Sequence, residues 1–128
     1  MNLDKFSLKG RVALVTGASR GLGEGMALAL AEAGADVALV ARTKSSLEET
    51  AASVEKAGSR GFVIQADLSL SGEPDRVVRE TVKQFGRVDI LLKAEGTQGR
   101  KPLFEMTEQD YDYLRSVNLK SMYCLSHV

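Results

Sequence analysis

The chain has 128 residues, the size of one ordinary domain, and 17 basic against 17 acidic residues leave no formal net charge. Hydrophobic residues make up 44% and charged residues 27%, a globular composition that excludes a wholly disordered chain. The charge balance offers no polyanion-binding surface, so nucleic acid is not an expected partner; a single Cys and a single His exclude an internal disulfide and a Cys/His metal cage.

The opening MNLDKFSLKG holds no apolar run, so no signal peptide is expected. The longest apolar run, Met26 to Ala31, is far shorter than the ~20 residues a membrane helix needs, and a reducing cytoplasm is the expected compartment. Val12 to Thr16 (VALVT) reads as a first buried strand, followed by a glycine-rich turn from Gly17 to Gly25. An Ala/Leu-rich helix then runs through Ala33 and stops at Gly34. Val37 to Ala41 (VALVA) is a second strand. Ser45 to Ala57 is a helix with Leu47, Ala51 and Val54 on one face and Gly58 as its stop. Phe62 to Ala66 is a third strand. Pro74 suits a first helical turn, and Val77, Val78, Thr81, Val82 and Phe85 carry that helix to Gly86. Val88 to Leu92 (VDILL) is a fourth strand. From Thr107 to about Val128 the pattern is helical, with Thr107 and Asp110 as a capping box and Tyr111, Leu114, Val117, Met122 and Leu125 at helical spacing.

Continuous apolar strands alternating with helices predict a parallel sheet covered on both faces. Right-handed crossovers then make it an α/β, Rossmann-like doubly wound sheet, a single domain over residues 1–128.

The strongest motif is Thr16-Gly17-Ala18-Ser19-Arg20-Gly21-Leu22-Gly23, between the first strand and the first helix. Gly17 allows a sharp turn, Gly21 a close backbone approach to a pyrophosphate, and Gly23 tight helix–sheet contact, while the helix N-terminus offers N–H groups to the phosphates. A tight turn that binds nothing is the alternative; the strand–turn–helix setting favours the dinucleotide. No Gly-Lys-Ser/Thr follows, which excludes a Walker A loop.

The spacing Gly-x-x-x-Gly-x-Gly resembles the signature of the short-chain dehydrogenase/reductase family. Lys9 to Gly23 resembles it residue by residue, as do Ala66-Asp67-Leu68, Val88 to Leu92 and Val117-Asn118-Leu119. Lys101 to Ser121 is similar to the family's helix that packs between subunits. The likeness is nearest to the gluconate 5-dehydrogenase and 3-oxoacyl-carrier-protein reductase types of the classical branch. It implies a nicotinamide cofactor and hydride transfer between that cofactor and a carbonyl or alcohol. The cofactor residues it implies are Gly17, Ser19, Arg20, Gly21, Leu22, Gly23, Arg42, Asp67, Leu68 and Gly96, with Asn118 the member of the catalytic set present.

An NAD site needs an acid after the second strand to accept from the ribose 2′-hydroxyl. This chain reads Val40-Ala41-Arg42-Thr43-Lys44 there, so Arg42, with Arg20 as a second cationic arm, favours NADP(H) over NAD(H); solvated surface arginines are the alternative. For Asp67 an adenine contact stands beside a simple turn-forming role.

Two departures from the family follow. Its Asn-Asn-Ala-Gly is here Lys93-Ala94-Glu95-Gly96, which puts two charges where the family has small or amide side chains. Its Ser and Tyr-x-x-x-Lys are also missing: Tyr111, Tyr113 and Tyr123 are followed four residues on by Arg115, Val117 and His127. Cys124 and His127 lie three apart but lack an orienting third group, and a packing role is expected of Cys124. The reading is therefore an NADP(H)-binding N-terminal portion, catalytically incomplete as this chain. The alternative is a non-catalytic NADP(H)-binding or interaction module that assembles with itself or with a full-length homologue. With four strand segments, the fourth is expected to be a bare apolar edge, so a homo-oligomer through that edge or the last helix is expected.

Overall fold

Val12–Thr16 (β1) and Asp36–Ala41 (β2) carry apolar residues on both pleat faces, and they become the two central strands of the sheet. The computed structural model describes residues 4–94 and 102–127. Gly61–Gln65 (β3) and Ile90–Lys93 (β4) complete a four-stranded sheet in the order β3-β2-β1-β4, with every pairing parallel. The doubly wound architecture read from the sequence is the one observed.

Alternation along the strands divides the core into two layers. Ala13, Val15, Val37 and Leu39 face α1 (Gly21–Glu32) and α2 (Lys44–Lys56), meeting Ala27, Ala31, Leu47 and Val54. Leu14, Ala38, Val40 and Ile64 face the other way, towards Val77 of α3 (Glu73–Phe85) and Leu125 of the last helix. Leu14, Leu39 and Leu47 are fully buried, and each contributes on the order of 2 kcal/mol through removal from water. The chain winds from β1 outward to β3 and then returns to the opposite side of β1 for β4. That reversal opens a crevice at the carboxyl ends of the strands.

Only β1 and β2 are buried on both faces. β3 and β4 are the two edges, and Leu91 of β4 is 37% exposed. The fourth strand also starts two residues later than its apolar run suggests. Asp89 takes over the ladder there: its N–H donates to the Val12 carbonyl at 2.9 Å, and its carboxylate accepts from the Val12 N–H at 2.9 Å.

The segment expected as one helix from Thr107 is three consecutive pieces. α4 (Glu108–Arg115) starts at the expected capping box: Asp110 N–H donates to Thr107 Oγ1 at 3.1 Å, and Thr107 N–H donates to the Asp110 carboxylate at 3.0 Å. A π turn occupies Ser116–Lys120, and α5 (Ser121–His127) follows. The inward residues are Leu114, Val117, Ser121 and Leu125; Tyr111, expected among them, is 58% exposed. Ser121 donates to the Val117 carbonyl at 2.6 Å, which satisfies its buried hydroxyl within the helix.

The amino ends of the strands are held by charge. Arg60 grips Asp36 with its Nε at 3.1 Å, its Nη2 at 2.7 Å and its backbone N–H at 3.0 Å, and its guanidinium stacks 5.0 Å from the Phe85 ring. Burial alone would raise the Asp36 pKa, but the Arg60 hydrogen bonds and charge outweigh it and hold the carboxyl below its ordinary value. Asp89 is lowered chiefly by hydrogen bonds from Arg87 and then by the Val12 N–H, against a smaller desolvation. Both carboxylates therefore stabilise the fold above the unfolded-state pKa of about 3.9 and lose that contribution as pH falls through their lower folded values. The urea midpoint should stay flat from about pH 7 to 5 and fall below about pH 4. A double Asp36→Asn, Asp89→Asn variant should be less stable at neutral pH and show a shallower acid decline; an unchanged decline would contradict this account.

Candidate functional site

The carboxyl ends of β1, β2 and β3 open into one cleft of about 420 Å³, within the range of small-molecule sites. Its lining includes Gly17, Ser19 and Arg20 from the glycine turn, Arg42 after β2, Asp67 and Leu68 after β3, and Tyr113 and Val117 from the last helical segment. Residues far apart in sequence meet here because parallel strands place all their carboxyl ends on one side of the sheet.

The turn itself follows from its glycines. Gly17 sits at φ 71°, where a side chain would be strained. A Cβ built on Gly23 would overlap the Gly17 carbonyl oxygen, lie 2.7 Å from its carbon and 3.2 Å from the Ala94 Cβ. Gly23 is thus the point where α1 touches both the turn and the end of β4. Gly21 has open space where a Cβ would be. Arg20, the residue before α1, makes no side-chain cap, so the first N–H groups of the helix receive no side-chain partner from it.

Neighbouring elements hold the turn in place. Ala18 N–H donates to the Val40 carbonyl at 3.1 Å. The Thr50 hydroxyl, buried on α2, donates to the Ala18 carbonyl at 3.1 Å. Arg42 is held at both ends: Gln65 Nε2 donates to its carbonyl at 2.9 Å, and its Nη1 donates to the Tyr113 hydroxyl at 3.1 Å.

Asp67 forms a turn of its own. Its Oδ1 accepts from the Ser69 N–H at 3.0 Å and from the Ser69 hydroxyl at 2.6 Å. The turn-forming role and the place in the cleft coexist, because Oδ2 takes no part in that turn.

Of the residues singled out in the sequence, Gly17, Ser19, Arg20, Arg42, Asp67 and Leu68 line the cleft together. Gly21 and Leu22 open α1, and Leu22 is 69% exposed. Gly23 lies buried behind the turn. Asn118 is exposed within the π turn, next to Val117. Gly96 and Glu95 lie outside the described residues, and so does the side chain of His127. Lys93 is half-buried opposite Thr16, and Ala94 N–H donates to the Thr16 carbonyl at 3.0 Å. Among the described residues the buried Thr16 Oγ1 has no hydrogen-bond partner. That orphan hydroxyl lies at the end of β1, beside Lys93 and Ala94. Thr50, Tyr113 and Val117 were not expected at the site. Thr50 carried a signal, as a hydroxyl on the apolar face of α2; Tyr113 carried none, because its partner is 71 positions away.

The model for short chain dehydrogenases matches residues 11–128. The chain belongs to the short-chain dehydrogenase/reductase family. It is 39% identical over 121 residues to the hydroxynaphthalene reductase-like protein Arp2 of Metarhizium robertsii, covering 94% of this chain and 45% of that protein. It is 38% identical over 126 residues to 2-dehydro-3-deoxy-D-gluconate 5-dehydrogenase of Dickeya dadantii, covering 98% and 49%. The short chain dehydrogenase of Burkholderia cenocepacia solved in complex with NADP superposes with a TM-score of 0.90 at 34% identity, covering 94% and 49%. The chain therefore spans about half the length of the relatives it matches. No helix among the described residues is long and apolar enough to cross a membrane.

The Gly17–Gly23 contact defines the turn, so Gly23→Ala should force the turn and α1 apart. We expect a loss of about 1–3 kcal/mol in unfolding free energy, in the range of core overpacking. A Gly25→Ala control, where a Cβ meets nothing, should cost no stability. Equal urea midpoints for wild type and Gly23→Ala would show that the contact does not constrain the turn.

Proposed function

We propose that these residues form the NADP(H)-binding portion of a short-chain dehydrogenase/reductase-type oxidoreductase. One observation carries the reading: Arg42, not an acid, follows β2 and lines the same cleft as the glycine turn, Arg20 and Asp67. A carboxylate at that place would accept from a ribose 2′-hydroxyl and repel a 2′-phosphate; a guanidinium does the reverse. Family relatives are solved with NADP and with NADH, so the choice rests on the residue after β2.

A nicotinamide dinucleotide held here supplies hydride transfer to or from a carbonyl or alcohol. The N-terminus of α1, to which Arg20 gives no side-chain cap, and the Gly17–Gly23 turn would bind its pyrophosphate. Arg42 and Arg20 would bind the 2′-phosphate, Leu68 and Val117 would flank the adenine, and Asp67 Oδ2 would accept from the adenine amino group. Leu22 and Gly96 complete the proposed contacts, and Asn118 is the proposed contribution to the catalytic set. None of Tyr111, Tyr113 and Tyr123 is followed by a Lys four residues on, so we assign none of these tyrosines to proton transfer.

Calorimetric titration at matched salt should show NADPH binding more tightly than NADH. Arg42→Ala should erase about 10- to 100-fold of that preference, the worth of charge-assisted hydrogen bonds. NADPH binding no tighter than NADH would refute the NADP(H) assignment.

A second proposal concerns assembly. Among the described residues β4 has β1 as its strand neighbour on one side, and Leu103 and Phe104 are 86% and 87% exposed ahead of α4. We infer that the chain associates with a second copy through the β4 edge, the last helical segment, or both. Light scattering across micromolar concentrations should give a mass above that of the monomer; a monomer throughout that range would overturn the inference.

A further inference from the structure

The Arg42 side chain does not simply extend into solvent. Its Nη1 donates to the Tyr113 hydroxyl at 3.1 Å, and both residues line the cleft. The other end of the residue is fixed as well, by Gln65 Nε2 donating to the Arg42 carbonyl at 2.9 Å. β3 therefore fixes the backbone of Arg42, and α4 fixes its guanidinium. Tyr113 in turn is placed by α4, whose start is fixed by the Thr107–Asp110 capping box.

We propose that Tyr113 is a positioning residue for cofactor selectivity: its hydroxyl holds the Arg42 guanidinium in the cleft wall, ready for a 2′-phosphate. The inference rests on the NADP(H) reading above and adds a residue to it. A guanidinium has five N–H donors in a planar fork, and Tyr113 uses one of them. Four remain, including the Nε–Nη2 edge that suits a phosphate bidentately. An exposed arginine otherwise loses side-chain freedom when it captures an anion, which costs conformational entropy. Holding the fork beforehand removes part of that cost from binding. Tyr113 acts only through Arg42, so its hydroxyl should matter for a ligand that carries the 2′-phosphate and not for one that lacks it.

The test is a double-mutant cycle on the full chain. Dissociation constants for NADPH and for NADH are measured in wild type, Tyr113→Phe, Arg42→Ala and the double variant at one salt concentration. Phenylalanine keeps the ring and removes only the hydroxyl, and urea midpoints confirm that each variant is folded. Tyr113→Phe should weaken NADPH about three- to tenfold, the order of a single hydrogen bond, and leave NADH within about twofold. In the Arg42→Ala background Tyr113→Phe should have no further effect. Equal weakening of both cofactors would show a packing role, and an effect that persists without Arg42 would show a direct contact; either overturns the proposal. Tighter NADPH binding by Tyr113→Phe would also overturn it, because Tyr113 would then compete with the phosphate. NADPH selectivity in wild type that is unchanged in Tyr113→Phe removes the role of Tyr113 alone. A wild type without NADPH preference removes the NADP(H) reading, and this proposal with it.

Discussion

β1 is enclosed on every side. β2 and β4 pair with its two edges, α1 covers one face, and Val77 and Leu125 pack on the other. Its five residues are buried without exception. A strand so enclosed has no freedom in where it ends, so the chain must leave it in one direction and at one point. The Gly17–Gly23 turn is the result, and α1 starts where β1 directs it. The cleft is a consequence of this enclosure: its walls are the loops that leave β1, β2 and β3 on the same side of the sheet, with Tyr113 and Val117 of the last helical segment added to them.

The two ends of the sheet carry different chemistry. At the amino ends, Asp36 and Asp89 are paired with Arg60, Arg87 and Arg11, and each carboxylate also accepts a backbone N–H. Those groups are spent on one another and on the ladder. At the carboxyl ends, Arg20, Arg42 and Asp67 line the cleft; Arg42 is met by a neutral phenol, and Asp67 by the hydroxyl and N–H of Ser69. For Arg42 and Asp67, these neutral partners hold the charge in place without cancelling it. A site for a charged ligand needs that arrangement, and a structural clamp needs the other.

Much of this was legible in the sequence where the cause is local. VALVT and VALVA name buried strands through their β-branched apolar runs, Gly17 and Gly23 name the turn through their spacing, and Thr107 with Asp110 names a helix start. The placing of Arg42 beside the turn was legible too, since parallel topology alone brings the ends of β1 and β2 together. What escaped depends on partners distant in sequence. The start of β4 is set by the Asp89 side chain bonding the Val12 N–H, which no apolar pattern records. The π turn breaks a periodicity that continues on both sides of it, so the spacing of Leu114, Val117 and Leu125 reads as one helix. Tyr113 reads as a packing residue like the other tyrosines until the fold brings Arg42 to it.

Thr50 has a consequence of this kind. It is a buried hydroxyl on α2 whose single proton lies within reach of both the Ala18 carbonyl of the glycine turn and the Ser46 carbonyl of its own helix. Helix α2 lies in the outer layer and contributes Ser46 to the cleft lining. Through Thr50 it is also a strut, tying the outer layer to the bend at the head of β1. Hydrogen bonds weaken steeply once geometry departs from about 3 Å and near-linearity, so a shift of α2 by a fraction of an ångström either drags the turn along or breaks the bond. The position of the outer layer and the shape of the turn are one mechanical variable, and packing changes on the far side of α2 will be felt at the cleft without any residue there being altered.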